Sequence, residues 1–130
     1  MAQERILVVE DHAATARGLK VYLEVCGFAV ALADSIQSAL RVTRTTDFDV
    51  LICDLNLPDG TGWDLMKRLS KKKAVRAIAF SAYDEPDHVK RSQAVGFCEH
   101  VVKGSSPESL LAAIRRALPP GRQERKEREP

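Results

Sequence analysis

The sequence is short of several features that would narrow its function at once. It lacks a charge imbalance: 20 basic residues stand against 18 acidic ones, for a net charge of +2. That is too even for a chain whose main work is coating nucleic acid. It has no apolar run long enough to span a bilayer. The opening MAQERILVVEDH passes from four aliphatics straight to acids and does not read as a secretory signal. There is no C-x-x-C; Cys26, Cys53 and Cys98 occur singly, which suits neither a zinc site nor a disulfide framework. All three read as reduced, small apolar fillers, as expected of a cytoplasmic protein. No repeat is visible beyond a recurring strand–helix unit.

What remains is an ordinary soluble composition, 45% hydrophobic and 29% charged over 130 residues, enough for one domain with a real core. Five apolar runs stand out: ILVV (6–9), FAVALA (28–33), DVLIC (49–53), RAIAF (76–80) and EHVV (99–102). Most are continuous rather than alternating, the pattern of parallel strands covered on both faces. Helical spacing fills the gaps. Leu19, Leu23 and Cys26 share a face of the first helix, with Gly27 as its stop. Ile36, Ala39, Leu40 and Thr43 do so in the second, and Leu65, Met66 and Leu69 in the third. A fourth helix, about Pro86 to Val95, carries only a faint stripe. The fifth opens at SSPES with Pro107 and buries Leu110, Leu111, Ile114 and Leu118. The order βαβαβαβαβα predicts a doubly wound α/β domain with right-handed crossovers. After ALPPG, the mixed-charge RQERKEREP reads as a solvated, disordered tail.

In such a sheet, ligands bind beyond the carboxyl ends of the strands. The first strand ends in Glu10 and Asp11, the third in Asp54, the fourth in Ser81 and the fifth in Lys103. Only the second lacks a comparable group, since Asp34-Ser35 looks like a helix cap. Three carboxylates, a hydroxyl and an ammonium are therefore predicted to share one crevice. Carboxylates crowded together repel unless a cation joins them. Magnesium suits, because it binds through one or two carboxylates and completes its shell with water and phosphate oxygens. Lys103 and Ser81 could each meet a phosphoryl oxygen. Asp54 is then either a third ligand or a nucleophile that forms an acyl phosphate.

Over Arg5 to Leu118 the sequence resembles the receiver domain of bacterial two-component signalling. The match is carried by ILVVEDH, DLNLPDGTGWDLM, IAFSAYD, AVGFCEHVVKG and LLAAIRRAL. The resemblance implies a flavodoxin-like sheet in strand order 2-1-3-4-5 with five helices, a receiver over 1–118 and a tail over 119–130. It implies that Asp54 accepts phosphate from a histidine kinase or phosphotransfer protein. Mg²⁺, with Mn²⁺ as a substitute, would be held by Glu10, Asp11, Asp54 and the backbone carbonyl of Asn56. Ser81 would close onto the phosphoryl group and Lys103 would pair with it. Phosphorylation would reshape the face of the fourth helix, fifth strand and fifth helix, which could also serve a phosphorylation-dependent dimer. LPDGTGWDLM and KRSQAVGF look most like receivers at the C-terminal end of hybrid sensor kinases. The chain itself is expected to be a signalling switch rather than an enzyme, although a hybrid parent would be a kinase. No membrane segment, direct nucleic-acid contact or output domain is expected within these residues.

Plainer roles compete at several positions. Asp11 alone reads as an N-cap, Glu10 as a helix-start acid and Ser81 as a cap hydroxyl. Lys103 alone reads as a snorkelling surface lysine. Taken together, the set favours the site. Pro58, Asp59, Gly60 and Gly62 read as turn chemistry. His12 is expected to face solvent in the first turn, His88 to lie on the surface, and Trp63 to be a partly buried anchor. Lys71, Lys72 and Lys73 read as a solvated helix end.

Three other functions on this fold fare worse. A magnesium phosphohydrolase would want D-x-D, but the second position is Asn56, which cannot transfer a proton. An FMN carrier would want a hydroxyl- and glycine-rich loop where EDHAAT places acids. A degenerate, binding-only receiver would not need the intact set of acids, Ser81 and Lys103.

Two positions depart from the family pattern. The usual aromatic switch residue three before the lysine is His100, and the usual cis-proline after the lysine is Gly104. A cis bond without proline costs roughly 2.5–4 kcal/mol, so a trans Lys103–Gly104 bond is expected. Ala82 and Tyr83 follow Ser81 where the family modulates switching and phosphate lifetime, together with Asn56. The bulk of Tyr83 predicts a shielded, long-lived phosphoprotein, so Tyr83→Ala should speed phosphate loss in a dephosphorylation time course. Histidine titrates near neutrality, so the phosphorylation response should shift across neutral pH; a flat profile would remove that role for His100.

Overall fold

A computed structural model describes residues 3–82 and 85–119. Tyr83 and most of the charged tail lie outside the described residues. The five apolar runs form parallel strands: β1 (Arg5–Val9), β2 (Ala29–Ala33), β3 (Val50–Asp54), β4 (Ala77–Ser81) and β5 (Glu99–Val102). They lie in the order β2-β1-β3-β4-β5, every neighbouring pair parallel, as expected for a doubly wound sheet. The helices are α1 (Ala13–Val25), α2 (Ile36–Thr45), α3 (Gly62–Ser70), α4 (Pro86–Ala94) and α5 (Pro107–Ala117).

Continuous apolar runs are needed because both faces of the sheet are covered. Leu7, Val9, Leu51, Cys53 and Ala79 pack with Ile36 and Ala39 of α2 and Leu65, Met66 and Leu69 of α3. The alternate residues Ile6, Val8, Val50, Ile52 and Ile78 pack with Leu23 of α1 and Leu110 and Ile114 of α5. Alternation along each strand sends successive side chains to opposite layers. Edge strand β2 is only half-buried from Ala29 to Leu32, while β3 is buried throughout.

Helix starts follow the capping residues. Ser35 and Ser38 form a reciprocal capping box on α2, and Ser106 caps α5 ahead of Pro107. The N-cap of α1 is His12, whose ring nitrogen accepts the Thr15 N–H, rather than Asp11; His12 is exposed but does structural work before the first turn. Between β3 and α3, Asn56–Leu57 and Gly60–Thr61 form a two-pair antiparallel hairpin with Pro58 and Asp59 at its tip. Asp59 does more than turn the chain. Its two oxygens accept the N–H groups of Ile36 (2.8 Å) and Gln37 (3.0 Å), capping α2 from across the fold.

Helix α4 is the least embedded, as its faint stripe predicted: Ser92 is its one buried residue. Its anchor is Trp63, which is buried more fully than expected. The indole N–H donates to Ser92 Oγ at 2.9 Å, Arg91 lies 4.0 Å over the ring, and the His88 ring is 5.5 Å away. His88 is thus half-buried against the indole rather than a plain surface residue. The cysteines also divide. Cys53 is buried and Cys26 half-buried, but Cys98 is exposed and is no core filler. Residues 71–73 are exposed past the end of α3, as expected, although Lys73 reaches Asp47 at 3.7 Å.

Ser92→Ala would leave the buried indole N–H without its acceptor, at a cost of about 1–3 kcal/mol. Urea unfolding should show that loss, and Trp63 emission should shift as α4 loosens.

Candidate functional site

The carboxyl ends of β1, β3 and β5 deliver the charged residues to one place. Glu10 follows β1 and is 2% exposed; its N–H donates to the Ala33 carbonyl at 2.9 Å, which continues the β1–β2 ladder. Asp54 is the last residue of β3 and 6% exposed. Lys103 follows β5, where its N–H donates to the Ser81 carbonyl at 2.7 Å. From there its ammonium reaches Glu10 Oε1 at 2.5 Å and Asp54 Oδ2 at 2.9 Å. One side chain thus ties three strands together across the top of the sheet.

The other oxygens are held by the backbone. His12 N–H donates to Glu10 Oε2 at 3.2 Å, and Asn56 N–H donates to Asp54 Oδ1 at 3.0 Å. Asp11 is exposed beside them, and one carboxylate oxygen from each of Glu10, Asp11 and Asp54 lies within 4.8 Å of the others. Ser81 is buried at the end of β4, with Ala82 exposed after it. Asn56 is exposed at the foot of the hairpin. His100 is half-buried on β5, in register with Ala79 of β4. The Lys103–Gly104 bond is trans, as expected.

The electrostatics are unbalanced. Burial pushes the Glu10 carboxyl above its ordinary value, and the nearby Asp54 adds to this; Lys103 and the His12 N–H offset only part of it. Burial also disfavours the Lys103 charge, but its hydrogen bonds to Glu10 and Asp54 outweigh that and raise its pKa. Three carboxylates face one ammonium, so the donor set fits a hard divalent cation. Gly62, read from sequence as turn chemistry, matters for closeness. A Cβ there would lie 2.5 Å from the Asp54 carbonyl oxygen and 3.1 Å from Cys53 Sγ, so any side chain would push α3 off β3.

A five-stranded doubly wound sheet with an acid cluster and a lysine at its carboxyl edge defines a receiver-type domain. The sequence pattern of the response regulator receiver domain matches residues 6–115, and the chain belongs to that family. It is 32% identical over 115 residues to the transcriptional regulatory protein CusR of Escherichia coli K12, covering 88% of this chain and 51% of CusR. It is 33% identical over 122 residues to the virulence sensor protein BvgS of Bordetella pertussis, covering 88% of this chain but 10% of BvgS. The chain therefore spans about half or less of these curated relatives. Among solved structures, the non-phosphorylated HemR receiver domain of Leptospira biflexa superimposes with a TM-score of 0.82 at 30% identity, over 88% of this chain and 94% of that one. The response regulator TrrA of Thermotoga maritima, solved with Mg²⁺ and BeF, gives 0.81 at 27% identity, over 89% and 100%. Since both a transcriptional regulator and a sensor protein match, the sequence likeness to hybrid-kinase receivers does not single out that type. Among the described residues, no helix is long and apolar enough to cross a membrane.

A carboxyl whose folded pKa is raised favours the fold below its unfolded value and loses that contribution as pH rises through the folded one. Glu10→Gln should therefore stabilise the metal-free chain at neutral pH. The gain should shrink as pH falls towards the ordinary value of 4.5. Thermal melts across this range check it, and added Mg²⁺ should stabilise the wild type but not the variant.

Proposed function

We propose that this chain is a phosphorylation-switched receiver in which Asp54 takes a phosphoryl group from the phosphohistidine of a histidine kinase or phosphotransfer protein. The supporting observation is the placement of Asp54 among Glu10, Asp11 and Lys103, with one oxygen on the Asn56 N–H and the other on the Lys103 ammonium. Those two bonds orient the carboxylate. As an Asp54 oxygen bonds to phosphorus, the donor P–N bond breaks and its electron pair leaves with the imidazole. Lys103 and the Ser81 hydroxyl face the phosphoryl oxygens and take up their charge. Mg²⁺ or Mn²⁺, held by Glu10, Asp11, Asp54 and the Asn56 carbonyl, supplies further charge neutralisation when bound. The Mg²⁺ and BeF in the TrrA structure support this assignment by similarity.

The output surface is the α4–β5–α5 face, with His100 and Ala82 as the switch positions and Tyr83 modulating phosphate lifetime. The slight embedding of α4 supports its movement, because a helix with one buried residue resists displacement weakly. Phosphorylated chains would pair through this face. The domain acts in the cytoplasm, as a stand-alone regulator or as a domain of a hybrid kinase.

Intact mass after incubation with a small phosphodonor and Mg²⁺ tests the reading. One phosphoryl gain is expected, dependent on Mg²⁺ and absent from Asp54→Asn. Mg²⁺ binding without any gain, even on rapid quenching, would favour a binding-only receiver; loss of both would sink the site assignment.

A further inference from the structure

The hairpin between β3 and α3 is fixed at two ends. At its foot, Asn56 stands two residues after Asp54, and its N–H donates to Asp54 Oδ1 at 3.0 Å. At its tip, Asp59 bridges to the start of α2 through two separate oxygens, Oδ1 to Ile36 N–H at 2.8 Å and Oδ2 to Gln37 N–H at 3.0 Å. Only two residue pairs, Asn56 with Thr61 and Leu57 with Gly60, lie between foot and tip. So short a ladder passes a displacement of its tip on to its foot. The hairpin also presses on α2: a Cβ on Gly60, which has φ +153°, would lie 2.7 Å from Ile36 Cδ1. Meanwhile α2 has its own local cap, since Ser35 Oγ accepts the Ser38 N–H at 3.0 Å. Asp59 thus takes the Ile36 and Gln37 N–H groups that Ser35 does not reach, and does so from the hairpin rather than from the helix's own flank.

We propose that Asp59 is a positioning residue for the divalent cation: by clamping the hairpin tip to α2 it holds the Asn56 segment where its carbonyl completes the metal shell. The inference rests on the receiver reading above, and it concerns a residue that touches neither metal nor phosphate. The Ile36 and Gln37 N–H groups hold the Asp59 carboxyl below the ordinary aspartate value, in keeping with a working clamp.

Mg²⁺ titration by calorimetry on the full chain, paired with thermal melts, tests this in the wild type, Asp59→Ala, Asp59→Asn and Ser35→Ala. Asp59→Ala should weaken Mg²⁺ binding roughly tenfold, the scale seen when groups supporting metal ligands are removed. Asp59→Asn keeps one acceptor oxygen and should fall between, and it serves as the readout if the alanine variant fails to fold. Ser35→Ala frays the same helix without touching the hairpin, so it should lower the melting temperature and leave Mg²⁺ affinity unchanged. Equal losses of affinity in Ser35→Ala and Asp59→Ala would reduce Asp59 to a helix cap and overturn the proposal. Unchanged affinity in both Asp59 variants would overturn it too, with the receiver reading intact. A wild type that binds no Mg²⁺ would overturn both.

Discussion

The structure turns on one ammonium shared by two buried carboxylates. Lys103 meets Glu10 and Asp54 at once, and the three residues come from the ends of three different strands. The register of the sheet makes that meeting possible: β1 pairs with β3, β3 with β4, and β4 with β5, all with their carboxyl ends on one edge. A one-residue slip would turn the end residue of a strand to the other layer and undo the cluster. The apolar runs that fix the register therefore also fix the site.

The shared ammonium leaves the cluster short of positive charge. Buried acids in such a setting cost stability unless paired, and one lysine for three carboxylates pairs them incompletely. The cost falls on the fold and the benefit on the ligand, since a cation that binds only the folded chain adds to its stability by mass action. This answers why a core strand such as ILVV should run into Glu10 and Asp11. The acids are held together by the sheet in an arrangement that a divalent cation would relieve.

Much of this was legible in the sequence, and the part that was not has a common physical cause. Strands showed as apolar runs, and the site showed because each run ends in a polar residue on the same edge. Cap residues such as Ser35 and Ser106 were legible because capping is local. The reach of Asp59 to Ile36 and Gln37, and of Trp63 to Ser92, was not, since each bond spans more than twenty residues and depends on how elements pack. For the same reason the role of His88 beside the indole was missed, as was the exposure of Cys98. The cap at His12 was missed differently: two adjacent acids drew attention away from the residue whose ring takes up the Thr15 N–H.

These long-range bonds also divide the molecule by stiffness. Around Asp54 the chain is pinned on every side: Gly62 lets α3 approach to van der Waals limits, the hairpin is tied to α2, and β3 is wholly buried. By contrast, α4 rests on β5 and on the Trp63 indole, round which His88, Arg91 and Ser92 gather. Trp63 adjoins Gly62, which abuts the Asp54 carbonyl. Gly62 and Trp63 thus form one joint between the closely packed ground around Asp54 and α4. A ligand can shift a conformational equilibrium only by binding one state better than the other. With the ground around Asp54 fixed, a phosphoryl group there, as proposed, would find compliance mainly on the α4 side, and a displaced α4 would strain the Trp63 contacts.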